Sequence, residues 1–402
     1  MTEIVLPVLQ SVTYCLRAVS SRGPMRTKAF LALLACGCLS ANAAYSAVFT
    51  ATNFSEFSSA ITSANAIAGS TIYLAPGEYS GGALPSITAS LTIALDPSYN
   101  AQAGSAILNT SPTASKGLLT VQNNVSAVNL TVDGLTFENA AISAGLGGNA
   151  AGIRYQGGGM ASLNVSNSFF LNNQNGILTG DGGAVETQLL DITIANSLFA
   201  NNGAADGFEH AIYAFGRSLA VSNSTFCGTV GGHDIKSRTA VTTVTNSTLY
   251  DGAQDLQNAV CNTGSSSYAL DAPNGGQVTV NGTSFIQGDA SPNHAIVSYG
   301  EEGLLYALNA LVIQNSAFTS TLPGIGIQEP LANASTCPVP VQLSNTTFRP
   351  GVTQVSPSSC ASQVTPPPDP IDEPSTLGML MAMLLGGAWI WSRRRPPLLQ
   401  AI

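Results

Sequence analysis

Two consecutive stretches, HAIYAFGRSLAVSNSTFCG from His210 and HDIKSRTAVTTVTNSTLYD from His233, align without a gap. His210 falls on His233, Ile212 on Ile235, Val221 on Val244, Asn223 on Asn246 and Phe226 on Leu249, each pair 23 residues apart. A constant offset of this kind means one structural unit laid on the next. The unit is too short for a helix pair, and its alternating apolar positions (Leu219, Val221) read as short strands joined by tight turns. A coil of about 22 to 30 residues made of short strands predicts a parallel β-helix. Successive coils then lie roughly 4.8 Å apart, which stacks His233 on His210 and Lys236 on Tyr213.

The unit recurs as LTVDGLTF to Phe137, LNVSNSFF to Phe170, ITIANSLF to Phe199, LAVSNSTF to Phe226, TTVTNSTL to Leu249, VTVNGTSF to Phe285, LVIQNSAF to Phe318 and VQLSNTTF to Phe348. Strand positions repeat while spacings vary from 23 to 36 residues, so insertions belong in the turns and the interior is a ladder of Val, Ile and Phe. Asn167, Asn196, Asn223, Asn246, Asn315 and Asn345 form a structural ladder at a bend, their amides bonding from coil to coil. Eight coils and a cap make one elongated domain over residues 47–364, because a solenoid grows without splitting. The cap is the stretch from Asn53, whose Phe54, Phe57, Ile61 and Ile67 recur at helical spacing before a first strand. Helix, strand and then Pro76-Gly77-Glu78-Tyr79 resemble the opening of pectin-lyase-like β-helices. The resemblance implies an all-β, single-stranded right-handed parallel β-helix with an N-terminal helical cap.

Both ends of the chain read as export signals. Within residues 1–46, Met25 is read as the start, with Arg26 and Lys28 as a basic region, Ala29 to Leu39 as an apolar region, and Ala41-Asn42-Ala43 as a cleavage site. A lipoprotein signal at Leu33-Leu34-Ala35-Cys36 is the alternative. Residues 365–376 hold a proline-rich linker and Glu373-Pro374-Ser375-Thr376. Residues 377–402 hold an apolar run, Leu377 to Trp391, and Arg393-Arg394-Arg395, whose cluster would stay cytoplasmic. The order resembles the PEP-CTERM sorting signal, with Asp372 where that family has its first Pro. The resemblance implies exosortase-type sorting machinery as a partner, a membrane anchored through the C-terminal segment at least transiently, and export to the cell surface or extracellular matrix. A plain membrane anchor is the other reading.

Four cysteines stand between these ends, an even count that suits two disulfides in an exported chain. Proximity in coil order pairs Cys227 with Cys261 and Cys337 with Cys360. No ligand spacing for zinc is present. The formal net charge of −9 excludes a nucleic-acid partner, which demands a basic footprint.

Ionisable residues are scarce, 9% of the chain, and cations between the ends are few: Lys116, Arg154, Arg217, Lys236, Arg238 and Arg349. His210, His233 and His294 all stand in the frame His-x-Ile. Alternation along the strand puts His233, Ile235 and Ser237 on one face and Asp234, Lys236 and Arg238 on the other, above Tyr213 and Phe215. Carrying the register outward places Glu186 below Tyr213 and Asp271 above Lys236. A cation pair over aromatic rings suits an acidic polysaccharide: the rings support a sugar and Arg pairs a carboxylate. Neutralising that carboxylate acidifies the adjacent C–H, so a base can remove its proton in a β-elimination.

Candidate catalytic residues are therefore Arg238 as neutraliser, Lys236 or His233 as base, Tyr213 as donor to the leaving oxygen, and His210 beneath. Candidate substrate contacts are Glu186, Arg217, Asp234, Asp271, Asn274, His294, Tyr299 and Glu301. No cofactor is required, and Ca²⁺ would suit the carboxylates Asp234, Asp271, Glu301 and Glu302. Solvated surface charge and a structural histidine stack are the plain alternatives. GHDIKSR from Gly232, DAPNGG from Asp271 and SYGEEG from Ser298 resemble a bacterial family of right-handed β-helix proteins, whose fold relatives include lyases, epimerases and hydrolases. Hydrolysis is the weaker enzyme reading, since no Asp-Asp or Asn-Thr-Asp motif is present. Beside a polysaccharide lyase stands a second class, a non-catalytic matrix or glycan-binding protein.

Overall fold

In a computed structural model of the protein the described residues are 46–109, 116–122, 125, 127–331 and 337–363. The stretches read as leader, linker, sorting motif and apolar C-terminal run lie outside them. Among the described residues no helix is long and apolar enough to cross a membrane.

The strands pair in parallel throughout and stack into a parallel β-helix. One face is a sheet of 10 short strands from Gly77–Tyr79 to Thr347–Phe348. Its register joins Tyr79, Leu108, Phe137, Phe170, Phe199, Phe226, Leu249, Phe285, Phe318 and Phe348 in one inward row. Eight of these ten are the repeat ends read from the sequence; the first two coils escaped because Tyr79 and Leu108 replace the Phe. The rings stack, Phe170 on Phe199 at 4.6 Å and Phe199 on Phe226 at 4.8 Å between centroids. Leu249 interrupts the aromatic row.

The asparagine ladder has a backbone cause as well as an amide one. Asn167, Asn196, Asn223, Asn246, Asn315 and Asn345 all sit at φ between 45° and 52°, and Gly134 and Gly282 take the same place in two other coils at 73° and 64°. This left-handed corner admits Gly freely and Asn better than other residues. Amide bonds run from Asn315 to Asn281 and from Asn345 to Asn315, both at 2.8 Å.

At the N-terminal end Phe54–Ala64 is an α-helix capped by the Asn53 side chain, and it buries Phe57, Ala60, Ile61 and Ala64. Ile67 lies beyond the helix end. A strand, Val48–Ala51, precedes the helix and pairs with Ser70–Leu74, so the first coil begins earlier than the periodicity suggested. The disulfides are Cys227–Cys261 and Cys337–Cys360, as coil order predicts. The first of them ties down the insertion of the 36-residue coil, which falls between Asp251 and Leu270.

The other 19 strands cover two further faces. In most coils a turn separates those faces, as between Asn175–Thr179 and Leu190–Ala195. Ile212–Ser222 and Ile235–Thr245 instead run as unbroken 11-residue strands, paired from Ile212↔Ile235 to Ser222↔Thr245. The 23-residue spacing is short because these two coils have no turn there, and the resulting continuous stretch of sheet carries Arg217, Lys236 and Arg238.

Candidate functional site

The register places Lys236 on Tyr213 and Arg238 on Phe215, with Asp271 above Lys236. Ile235 and Ser237 are buried while Lys236 and Arg238 project outward. Lys236 Nζ lies 5.8 Å from the Tyr213 ring centre, and the Arg238 guanidinium lies 5.7 Å from Tyr213 and 5.6 Å from Phe215. Cations above ring faces gain from the aromatic quadrupole.

Polar partners fix both cations. Arg238 donates from Nε to the Tyr213 hydroxyl at 3.1 Å, from Nη1 to Asn274 Oδ1 at 2.6 Å and from Nη2 to Glu302 Oε1 at 2.6 Å. Lys236 Nζ lies 3.4 Å from Glu302 and 3.5 Å from Asp271 Oδ2. The Tyr306 hydroxyl donates to the Arg238 carbonyl at 2.7 Å. Arg238 beside Glu302 holds that carboxyl below its usual range. Asp271 is 1% exposed, and burial pushes it up to about 7 despite Lys236.

The histidine rings stack at 4.7 Å, and the His233 backbone N–H donates to His210 Nδ1 at 2.9 Å. His210 therefore carries no proton on Nδ1. His233 Nε2 lies 3.5 Å from Asp271 Oδ2. Burial pushes His233 down to about 3 and His210 well below the ordinary value, so both are neutral at pH 7.

Several expectations need correcting. Leu178, not Glu186, lies beneath Tyr213, because a turn interrupts the coil below; Glu186 stands exposed in that turn, Val185–Thr187. Strand alternation does not reach Asp234, because the strand begins at Ile235: Asp234 is fully enclosed where neighbouring coils hold Ala211 and Ala269, away from Lys236 and Arg238. His294 breaks the supposed frame, since Leu270 pairs with Val297 rather than Ile296. The ring next to His233 is Tyr268, at 5.2 Å. Tyr299 is 2% exposed and donates to the Gly276 carbonyl at 2.7 Å, a core position. Arg217 is held by both oxygens of Asp191 on the next face. Glu301 stays near the cluster, 3.4 Å from the Ser298 hydroxyl.

Of the residues read from the sequence, the structure brings Lys236, Arg238, His233, His210, Tyr213, Asp271, Asn274 and Glu301 together. Sequence reasoning left Tyr268 and Tyr306 out, since both lie in turns where no register can be carried. For metals, Glu329, Cys337 and Cys360 bring donor atoms together, but the disulfide withholds both sulfurs. Asp271, Glu301 and Glu302 offer the oxygens Ca²⁺ takes, yet Lys236 and Arg238 already engage Asp271 and Glu302.

Fold and site together define a parallel β-helix with a cation–aromatic cluster on one face, partly covered by the turn that carries Glu302 and Tyr306. No family model matches the chain, and no curated protein matches it significantly. Among solved structures it is similar to the PL6 family alginate lyase AlyGC, at 17% identity and a TM-score of 0.44 over 77% of this chain and 40% of that one. A mutant of that lyase gives 18% and 0.46 over the same shares. The mannuronan C-5 epimerase AlgE4 A-module of Azotobacter vinelandii gives 12% and 0.25, over 80% of this chain and 95% of that one. The chain thus spans well under half the length of the lyase, and its fold rests on the strand register above.

Proposed function

We propose that the protein is an exported, surface-associated β-helix that acts on an acidic polysaccharide by β-elimination. The observation that supports this reading is the seat formed by Lys236, Arg238 and Asn274 over Tyr213, in a chain with few cations. The carboxylate of Glu302 already lies on that seat, the same group a uronate would offer. Arg238 neutralises the uronate carboxylate and so acidifies the C5–H.

His233, held to about 3, is too weak a base to keep a proton at pH 7. The base is Lys236 in its amine form, with Asp271 Oδ2 3.5 Å away to receive the proton it gives up. The amine then takes the C5 proton, the C4–O bond breaks, and a C4–C5 double bond forms. Tyr213 accepts from Arg238, which leaves its own proton for the departing oxygen. Export rests on the leader and sorting-like tail of the sequence, and fractionation of producing cells tests it: protein retained in the cytoplasm would refute it.

A binding-only role is the second reading, favoured by the ion pairs that both cations already make. Ultraviolet absorbance of unsaturated uronates, on a panel of uronic-acid polymers with Lys236→Ala alongside, separates the two. A rise lost in the variant supports elimination; no rise on any polymer overturns it and leaves binding.

A further inference from the structure

The outward row through Tyr213 and Lys236 continues down the helix to another cation. Lys236 pairs with Tyr213, Tyr213 with Leu178, and Leu178 with Arg154. Three coil steps separate Arg154 from Lys236, roughly 14 Å at about 4.8 Å each. Arg217, Lys236 and Arg238 all hold carboxylates, whereas Arg154 has no carboxylate partner among the described residues. Its Nε donates to Gln156 Oε1 at 3.0 Å and its Nη1 to the Asn149 carbonyl at 2.7 Å. Those bonds aim the half-buried guanidinium and use two of its five N–H groups, and its burial without a counter-charge lowers its pKa.

Between the cations the floor is apolar. Leu178 itself is buried, 6% exposed, and the half-buried Tyr213 and Phe215 that follow it supply the apolar surface, their ring centres 4.9 Å apart. Gly180 lies against Phe215, where an added Cβ would come within 3.2 Å of the ring, so no side chain rises there. Arg154, an apolar stretch and then Lys236 along one row, with Arg238 in the row beside it, match a polymer that repeats a ring and a carboxylate. One pyranose of a 1,4-linked chain is close in length to one coil.

We propose that Arg154 is a second carboxylate subsite, which lays a polyuronate along the helix axis with its far end on Arg154 and its reacting end on Lys236 and Arg238. The proposal rests on the acidic-polysaccharide reading above.

The test measures the affinity of end-labelled uronic-acid disaccharide and hexasaccharide for the full chain, with Arg154→Gln and Arg154→Lys. The disaccharide is shorter than the track and the hexasaccharide longer. Arg154→Gln weakens the hexasaccharide about tenfold, the scale of one charged hydrogen bond, and leaves the disaccharide unchanged. Arg154→Lys keeps the charge and recovers part of the loss, which damage to the fold would not allow. Equal losses at both lengths, or no loss on the hexasaccharide, overturn the subsite while the polysaccharide reading stands. Failure of the wild type to bind either length overturns both.

Discussion

Asp271→Asn isolates the buried carboxyl at the centre of the cluster. Asp271 titrates near 3.8 when unfolded and at about 7 when folded, so between those values the folded chain keeps a proton that the unfolded chain has released. Its contribution to stability therefore falls as pH rises through this window, by about 1.4 kcal/mol per pH unit, or on the order of 4 kcal/mol across roughly three units. Burial outweighs the neighbouring charges: Lys236 and Arg238 pull the group down while Glu301 and Glu302 push it up, and His233 Nε2 faces it at 3.5 Å.

The absolute stability curve would hide this slope. His210 and His233 are pushed down by burial, so the unfolded state binds their protons first and stability is lost as pH falls below about 6.5. The difference between wild type and variant removes the loss common to both and leaves what Asp271 and its neighbour His233 contribute together. Urea unfolding followed by circular dichroism at pH 4 to 8 should show the variant gaining on the wild type steadily from about 4 to 7 and levelling above. A difference that stays flat, or that runs the other way, would mean that Asp271 is ionised well below neutrality and would remove it as the acceptor of the Lys236 proton.

Glu302→Gln removes the internal carboxylate from the cation seat, and because that group is 44% exposed its ion pairs are worth only about 1 kcal/mol or less. Calorimetry with an oligouronate should show binding tightened by up to about fivefold; weaker binding would mean that Glu302 holds the cluster in shape. Phe199→Ala empties a fully buried place between two stacked rings and should cost about 3–5 kcal/mol in urea unfolding. A loss below about 1 kcal/mol would show that the neighbouring coils close the gap.

The sequence alone determined the fold, because the information lies in an offset. Strand pairing in a solenoid is between neighbours, so a recurring motif that ends at Phe170, Phe199 and Phe226 reads out the register directly even though the turns between differ in length. The same locality put Lys236 on Tyr213 and His233 on His210, where the two coils match without a gap. Register was lost wherever a turn of unknown length intervened, which is why Glu186 was misplaced and His294 was counted with the other histidines. Only the tertiary structure could show that Asp234 turns into the interior, that Glu302 swings onto the cations from a Gly-flanked turn, and that Arg154 lies in the row of Lys236 three coils away. Those outcomes depend on where strands begin and how turns fold back, which side-chain packing across coils settles and a repeat spacing does not encode.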